Sequence, residues 1–200
     1  MRVLTTLIAA ALMVAPACAE DAAALYATVK TSKGDFVVAL DPAAAPQTVE
    51  NFVQYANAGH YDRSIIHRVV AGYVIQGGGY SRFFNERATR PAVPYEGDNG
   101  LKNVRGAFAM ARTSDPNSAT SQWYVNLQDN AKLDHKVDEI GPIYGYTVFG
   151  QVIAGMDVVD AIGAVETGEG GPFETEVPVE QILVERVDVG NEPPAVAGAQ

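Results

Sequence analysis

From residue 25 onward the sequence runs in short β-branched or aromatic stretches, each broken within a few residues by Gly, Pro, Asn or Asp. Strands this short cannot bury a face alone, so they must be assembled into a sheet system whose edges are protected. Eight such runs are legible, at 25–30, 35–40, 64–70, 73–76, 107–111, 122–127, 147–153 and 181–189. The first two flank Ser32-Lys33-Gly34, where Gly supplies the positive φ of a tight hairpin. Closure removes every exposed edge, and eight short strands in one domain point to it. Two segments break the period. Residues 45–58 space Val49, Phe52, Val53 and Ala56 along one helical face, with Pro46 suited to the first turn and Gly59 to the stop. Residues 156–162 (MDVVDAI), between Gly155 and Gly163, form a second, shorter helix. The expected fold is mainly β: a closed eight-stranded antiparallel β-barrel capped by two α-helices.

The ends of the chain are written differently. Met1-Arg2 is a short cationic start, Val3 to Val14 is apolar, and Ala17-Cys18-Ala19 is a small-x-small cleavage pattern ahead of Glu20. Residues 1–19 therefore read as a signal peptide, because the apolar run falls short of the roughly 20 residues that cross a bilayer. Cleavage after Ala19 removes the only cysteine, which suits an oxidising compartment. A lipid anchor at Cys18 fits the preceding Ala15-Pro16-Ala17 poorly. Residues 20–190 then form one domain, and 191–200 (NEPPAVAGAQ) read as a disordered C-terminal tail with no apolar face to bury. The net charge is −10, which argues against nucleic acid and, once the signal is removed, against anionic membranes as partners.

Most catalytic templates fail. The three histidines, His60, His67 and His135, lack ligand spacing, so no metal site is expected. No nucleophile elbow or Cys/His pair is present, and Gly77-Gly78-Gly79 lacks the ending of a phosphate loop, so a turn or close backbone approach explains it better. The chain calls for no cofactor. What remains is a set of patches. In SIIHRVV (64–70) one arginine interrupts an apolar strand, and strict alternation puts Ile66, Arg68 and Val70 on one face. A guanidinium among apolar neighbours is either a structural ion pair or kept for a ligand, and the residues alone leave both open. His67 reads as structural. Residues 73–79 add one amide, Gln76, to apolar side chains; 106–112 and 121–126 add aromatic and polar ones. Each patch is ordinary core by itself. Together they hold the parts of a shallow apolar pocket beside one cation and one amide.

The blocks HRVVAGYVIQGGG (67–79), DNGLKNVRGAFAMAR (98–112), ATSQWYVN (119–126), DNAKLDH (129–135) and YTVFGQVIAGMDVVDAI (146–162) resemble, in order, the signature blocks of the cyclophilins, the peptidyl-prolyl cis-trans isomerases. The likeness spans residues 25–189, and its spacing is similar to that of the bacterial exported branch. That resemblance implies a monomeric isomerase acting on proline-containing unfolded or exported polypeptides, in the periplasm or, alternatively, secreted. It implies Arg68 as the catalytic arginine and Gln76 as its companion on the active face. Tyr73, Val74, Ala111, Arg112, Tyr124, Leu133 and Tyr146 fall at substrate-binding positions. Tyr73, Val74 and Tyr124 stand where Phe, Met and Phe are usual, and Tyr146 where many eukaryotic members have His. Trp123 replaces a usual Phe, and Lys132 replaces a Trp or Phe, which implies weak binding of cyclosporin. The stretch 136–144 is longer than in close relatives.

Two rival readings carry their own expectations. A proline-peptide binding or chaperone module of the same fold would catalyse weakly or incidentally, and tyrosine hydroxyls at 73 and 124 favour it by wetting the pocket floor. A carrier barrel for a small hydrophobic ligand requires an open lumen, whereas the dense Val, Ile, Phe and Ala of these strands predict a filled one. The isomerase reading itself requires an Arg68 that faces a cleft and is not locked onto an internal carboxylate.

Overall fold

The computed structural model describes residues 24–192, so the proposed signal peptide and all but the first two residues of the proposed tail lie outside the described residues. The chain forms, in order, β1 (Leu25–Thr31), β2 (Gly34–Leu40), α1 (Pro46–Asn57), β3 (Ser64–Val70), β4 (Val74–Ser81), β5 (Ala107–Met110) and β6 (Trp123–Asn126). There follow a short 3₁₀ turn (Ala131–Leu133), β7 (Lys136–Val137), β8 (Pro142–Ile143), β9 (Val148–Ala154), α2 (Met156–Gly163), β10 (Thr167–Gly170), β11 (Phe173–Pro178) and β12 (Ile182–Gly190). Eight strands close into a barrel in the order β1-β12-β3-β4-β6-β5-β9-β2, with antiparallel neighbours throughout. These are the eight runs legible in the sequence.

The lumen is filled. Phe36, Phe108, Trp123, Phe149, Ile66, Ile75 and Ile182 are buried within one core cluster, to which α1 adds Val49, Phe52, Tyr55 and Ala56, and α2 adds Val159 and Ile162. Phe52 is the joint between helix and barrel: its ring lies 5.2 Å from Tyr61, 5.3 Å from Phe108 and 5.5 Å from Phe149. Among the described residues this packing fills the lumen that the carrier reading required to be open.

Two further hairpins form where the sequence shows no strand run. β7–β8 is two residues per strand, with Val137 and Ile140 exposed. β10–β11 carries the low-propensity sequences TGEG and FETEVP, and the register slips between Gly168 and Gly170. Its strands form because the hairpin lies on β3: the Phe173 ring stacks on His67 at 5.7 Å and meets Tyr80 edge-on at 5.1 Å. Tertiary packing overrides weak local propensity here.

Candidate active site

In the β3–β4 ladder Arg68 stands opposite Gln76, but Ile66 stands opposite Gly77, so β3 bulges at His67. The bulge overturns the alternation expected for this strand. Ile66 joins Val69 in the barrel core, while Val70 packs outward on a second apolar cluster beside Arg68. Gln76 in turn opposes Tyr124, and Tyr124 opposes Ala109. Arg68, Gln76, Tyr124 and Ala109 thus form a row across four strands.

The second cluster sits apart from the core, built on Val74, Ala107, Ala109, Tyr124 and Val148, with Val70, Tyr73, Leu101, Ala111, Leu133 and Tyr146 partly buried around it. It floors a hollow of about 160 Å³ lined by Arg68, Tyr73, Val74, Gln76, Ala111, Arg112, Tyr124, Leu133 and Tyr146. All nine residues singled out in the sequence therefore meet at one place. The hollow is smaller than the roughly 300–1,000 Å³ of sites for drug-sized ligands and suits a single ring.

The polar groups at its edge are held by neighbours. Arg68 donates from Nη1 to Gln76 Oε1 at 3.3 Å and from Nε to Glu176 Oε2 at 2.6 Å. The arginine does meet a carboxylate. That carboxylate is not an internal one, however: the two side chains are 39% and 40% exposed, and the guanidinium still lines the hollow. Gln76 donates from Nε2 to Gln122 Oε1 at 2.9 Å. The glycine run explains itself as close approach, since a Cβ on Gly79 would lie 2.6 Å from the Gln122 amide and one on Gly77 would lie 3.3 Å from the Trp123 ring. Arg112 lies over the Tyr146 ring at 4.6 Å and donates to the carbonyls of Thr113, Tyr144 and Gly145, so it braces the wall.

Burial drives the shifts in proton affinity. The Tyr124 hydroxyl donates to Asn103 Oδ1 at 2.7 Å beneath the floor, and burial, with Tyr146 and Tyr73 nearby, pushes its pKa well above 10. This hydroxyl therefore points away from a ligand, which removes half of the argument for a wet floor. The Tyr73 hydroxyl is also raised, by burial and then Tyr146. His67 is buried under Phe173, and desolvation followed by the charge on Arg68 lowers its pKa to about 4, so it is neutral near pH 7. Among the described residues no group of three or more His, Cys, Asp or Glu could hold a metal ion.

Sequence reasoning passed over three residues here. Gln122 shares a strand face with Tyr124 and could have been found by alternation. Asn103 lies in the segment between β4 and β5 and Glu176 in the β10–β11 hairpin, and neither gave such a signal.

The family model described as cyclophilin type peptidyl-prolyl cis-trans isomerase/CLD matches residues 26–189. This chain belongs to that family. Peptidyl-prolyl cis-trans isomerase A of Dickeya dadantii is 44% identical over 82% of this chain and 84% of its own length. Peptidyl-prolyl cis-trans isomerase B of Escherichia coli is 43% identical over 81% of this chain and 98% of its own. A crystal structure of a cyclophilin type peptidyl-prolyl cis-trans isomerase of Cryptosporidium parvum shares the fold, with TM-score 0.66 and 22% identity over 85% of this chain and 99% of that one. As a cyclophilin, the chain places its departures unevenly: Tyr124 turns its hydroxyl into the buried network, whereas Lys132 is exposed on the 3₁₀ turn beside Leu133.

Proposed function

We propose that this cyclophilin accelerates rotation about X–Pro bonds in exported polypeptides, by non-covalent stabilisation of the twisted amide. The uncatalysed barrier is about 18–20 kcal/mol, because rotation breaks amide resonance, and the wait is tens to hundreds of seconds. At the midpoint the nitrogen is pyramidal and more basic, so a donor aimed at it lowers the barrier. Arg68 is that donor: Nε and Nη1 are engaged within the protein, and Nη2 has no protein hydrogen-bond partner among the described residues. The apolar surfaces of Tyr73, Val74, Tyr124 and Leu133 hold the proline ring. Gln76 still has one lone pair and one N–H for the flanking peptide after its bonds to Arg68 and Gln122. Each such effect worth about 1.4 kcal/mol is tenfold in rate.

The observation that carries this reading is the meeting of a fixed guanidinium and a ring-sized apolar hollow across one row of strands. The test is cis-trans exchange of a short X–Pro peptide measured by NMR. Wild type should speed exchange, and Arg68→Ala should remove most of that acceleration with far-UV CD unchanged. Residual activity within about threefold of wild type overturns the mechanism. Line shifts without faster exchange would instead mark a binding module. The exported setting rests on the pattern of residues 1–19, and a mature N-terminus at Glu20 would support it.

A further inference from the structure

The carboxylate on Arg68 comes from a residue whose backbone is bent to deliver it. Glu176 has φ +66°, a left-handed conformation that L side chains avoid. The β10–β11 register places Gly168 opposite Val177 and Gly170 opposite Phe173, so Glu174, Thr175 and Glu176 bulge against Glu169 alone. Bulges next to active sites commonly re-aim a side chain. This one aims Glu176 at Nε of Arg68, at 2.6 Å. The Glu176 side chain is itself 40% exposed, while its neighbours Val177 and Pro178 are buried.

The consequence for the arginine is geometric. A guanidinium is a flat fork on a long, rotamer-rich stem. Gln76 on Nη1 and Glu176 on Nε hold two of its three nitrogens from different strands, which fixes the plane of the fork. The third, Nη2, has no protein partner among the described residues, and Arg68 lines the hollow. The hairpin carrying Glu176 is seated by Phe173 on His67, the residue next to Arg68, so both partners are referenced to one point of β3.

We infer that Glu176 is a positioning residue for Arg68, acting on the isomerase reaction through the orientation of the guanidinium and not by touching substrate. The inference rests on the isomerase reading above, and the same assay separates the two. A wild type no faster than Arg68→Ala overturns that reading and this inference with it. Where wild type is clearly faster, Glu176→Gln and Glu176→Gly should each lower kcat about threefold to fivefold, the size expected of a half-exposed ion pair, with KM unchanged. Glu176→Asp should recover part of the loss. Glycine relieves the left-handed strain, so Glu176→Gly should melt at or above the wild-type temperature while losing activity. The Arg68 Nε–H resonance should move in the Gln and Gly variants and return toward its wild-type position in Asp. Unchanged kcat in Glu176→Gly, a rise in activity, or a loss of activity that merely follows a loss of stability would each overturn the inference.

Discussion

Gln76 lies directly across the β3–β4 ladder from Arg68, and its Oε1 accepts from Arg68 Nη1 at 3.3 Å while its Nε2 donates to Gln122 at 2.9 Å. The second bond decides which end of the amide faces the arginine. Truncating the side chain removes one brace on the guanidinium and the group placed to meet the substrate backbone. Gln76→Ala should therefore lower kcat/KM by about tenfold, less than Arg68→Ala does. A rate equal to wild type in the same exchange assay would show that the amide is dispensable.

The Tyr124 ring and the Tyr124 hydroxyl serve different ends. The ring faces the hollow, and the hydroxyl donates to Asn103 inside a buried network with Asn126 and Asn130. Tyr124→Phe keeps the ring and leaves Asn103 Oδ1 with only the 3.3 Å bond from Asn126. Urea unfolding should show a loss of about 1 kcal/mol, with kcat within about twofold of wild type. A large drop in kcat at unchanged stability would mean that the hydroxyl works on the substrate.

Stability and activity should respond differently to acid. His67 is held at about 4 in the folded state against 6.5 when free, chiefly by burial. Above pH 6.5 both states are neutral. As pH falls through 6.5 the unfolded chain takes up a proton that the folded chain refuses until about pH 4, so stability declines across that window by about 3 kcal/mol. His60, lowered by burial, adds in the same direction. Unfolding midpoints near pH 7 and near pH 4 should differ less in His67→Gln than in wild type. Catalysis, by contrast, should be nearly flat from about pH 6 to 8, because no lining side chain is of a type that titrates there. A bell-shaped profile would reveal an acid or base outside the proposed set.

Lys132 presents a flexible ammonium beside the lining residue Leu133, at a position where the family resemblance implies a Trp or Phe. Cyclosporin should therefore bind weakly, and Lys132→Trp should tighten it by about tenfold, the worth of one aromatic contact. Calorimetry showing no gain would place the cause of weak binding elsewhere.

The barrel was legible because its eight strands announce themselves locally. The apolar runs at 25–30 and 181–189 require a sheet whatever their neighbours, and turn residues end each run close to where the ladder ends. The nine lining residues were legible through the likeness of whole blocks, since Tyr73, Leu133 and Tyr146 taken singly read as ordinary core. The lapse at Ile66 has a plain cause: alternation assumes an unbroken ladder, and the bulge at His67 reverses the faces.

Local chemistry alone thus determined a closed β fold, two helices, and an arginine with an amide on adjacent strands, because period, turn residues and side-chain type act over a few positions. Only the tertiary structure decided what meets that arginine. Glu176 is 108 positions away, in a hairpin whose sequence favours no strand, and it reaches Arg68 because Phe173 docks on His67 and a backbone bulge turns the carboxylate toward the guanidinium. Contacts of that kind depend on packing between distant segments, and no residue pattern within either segment encodes them.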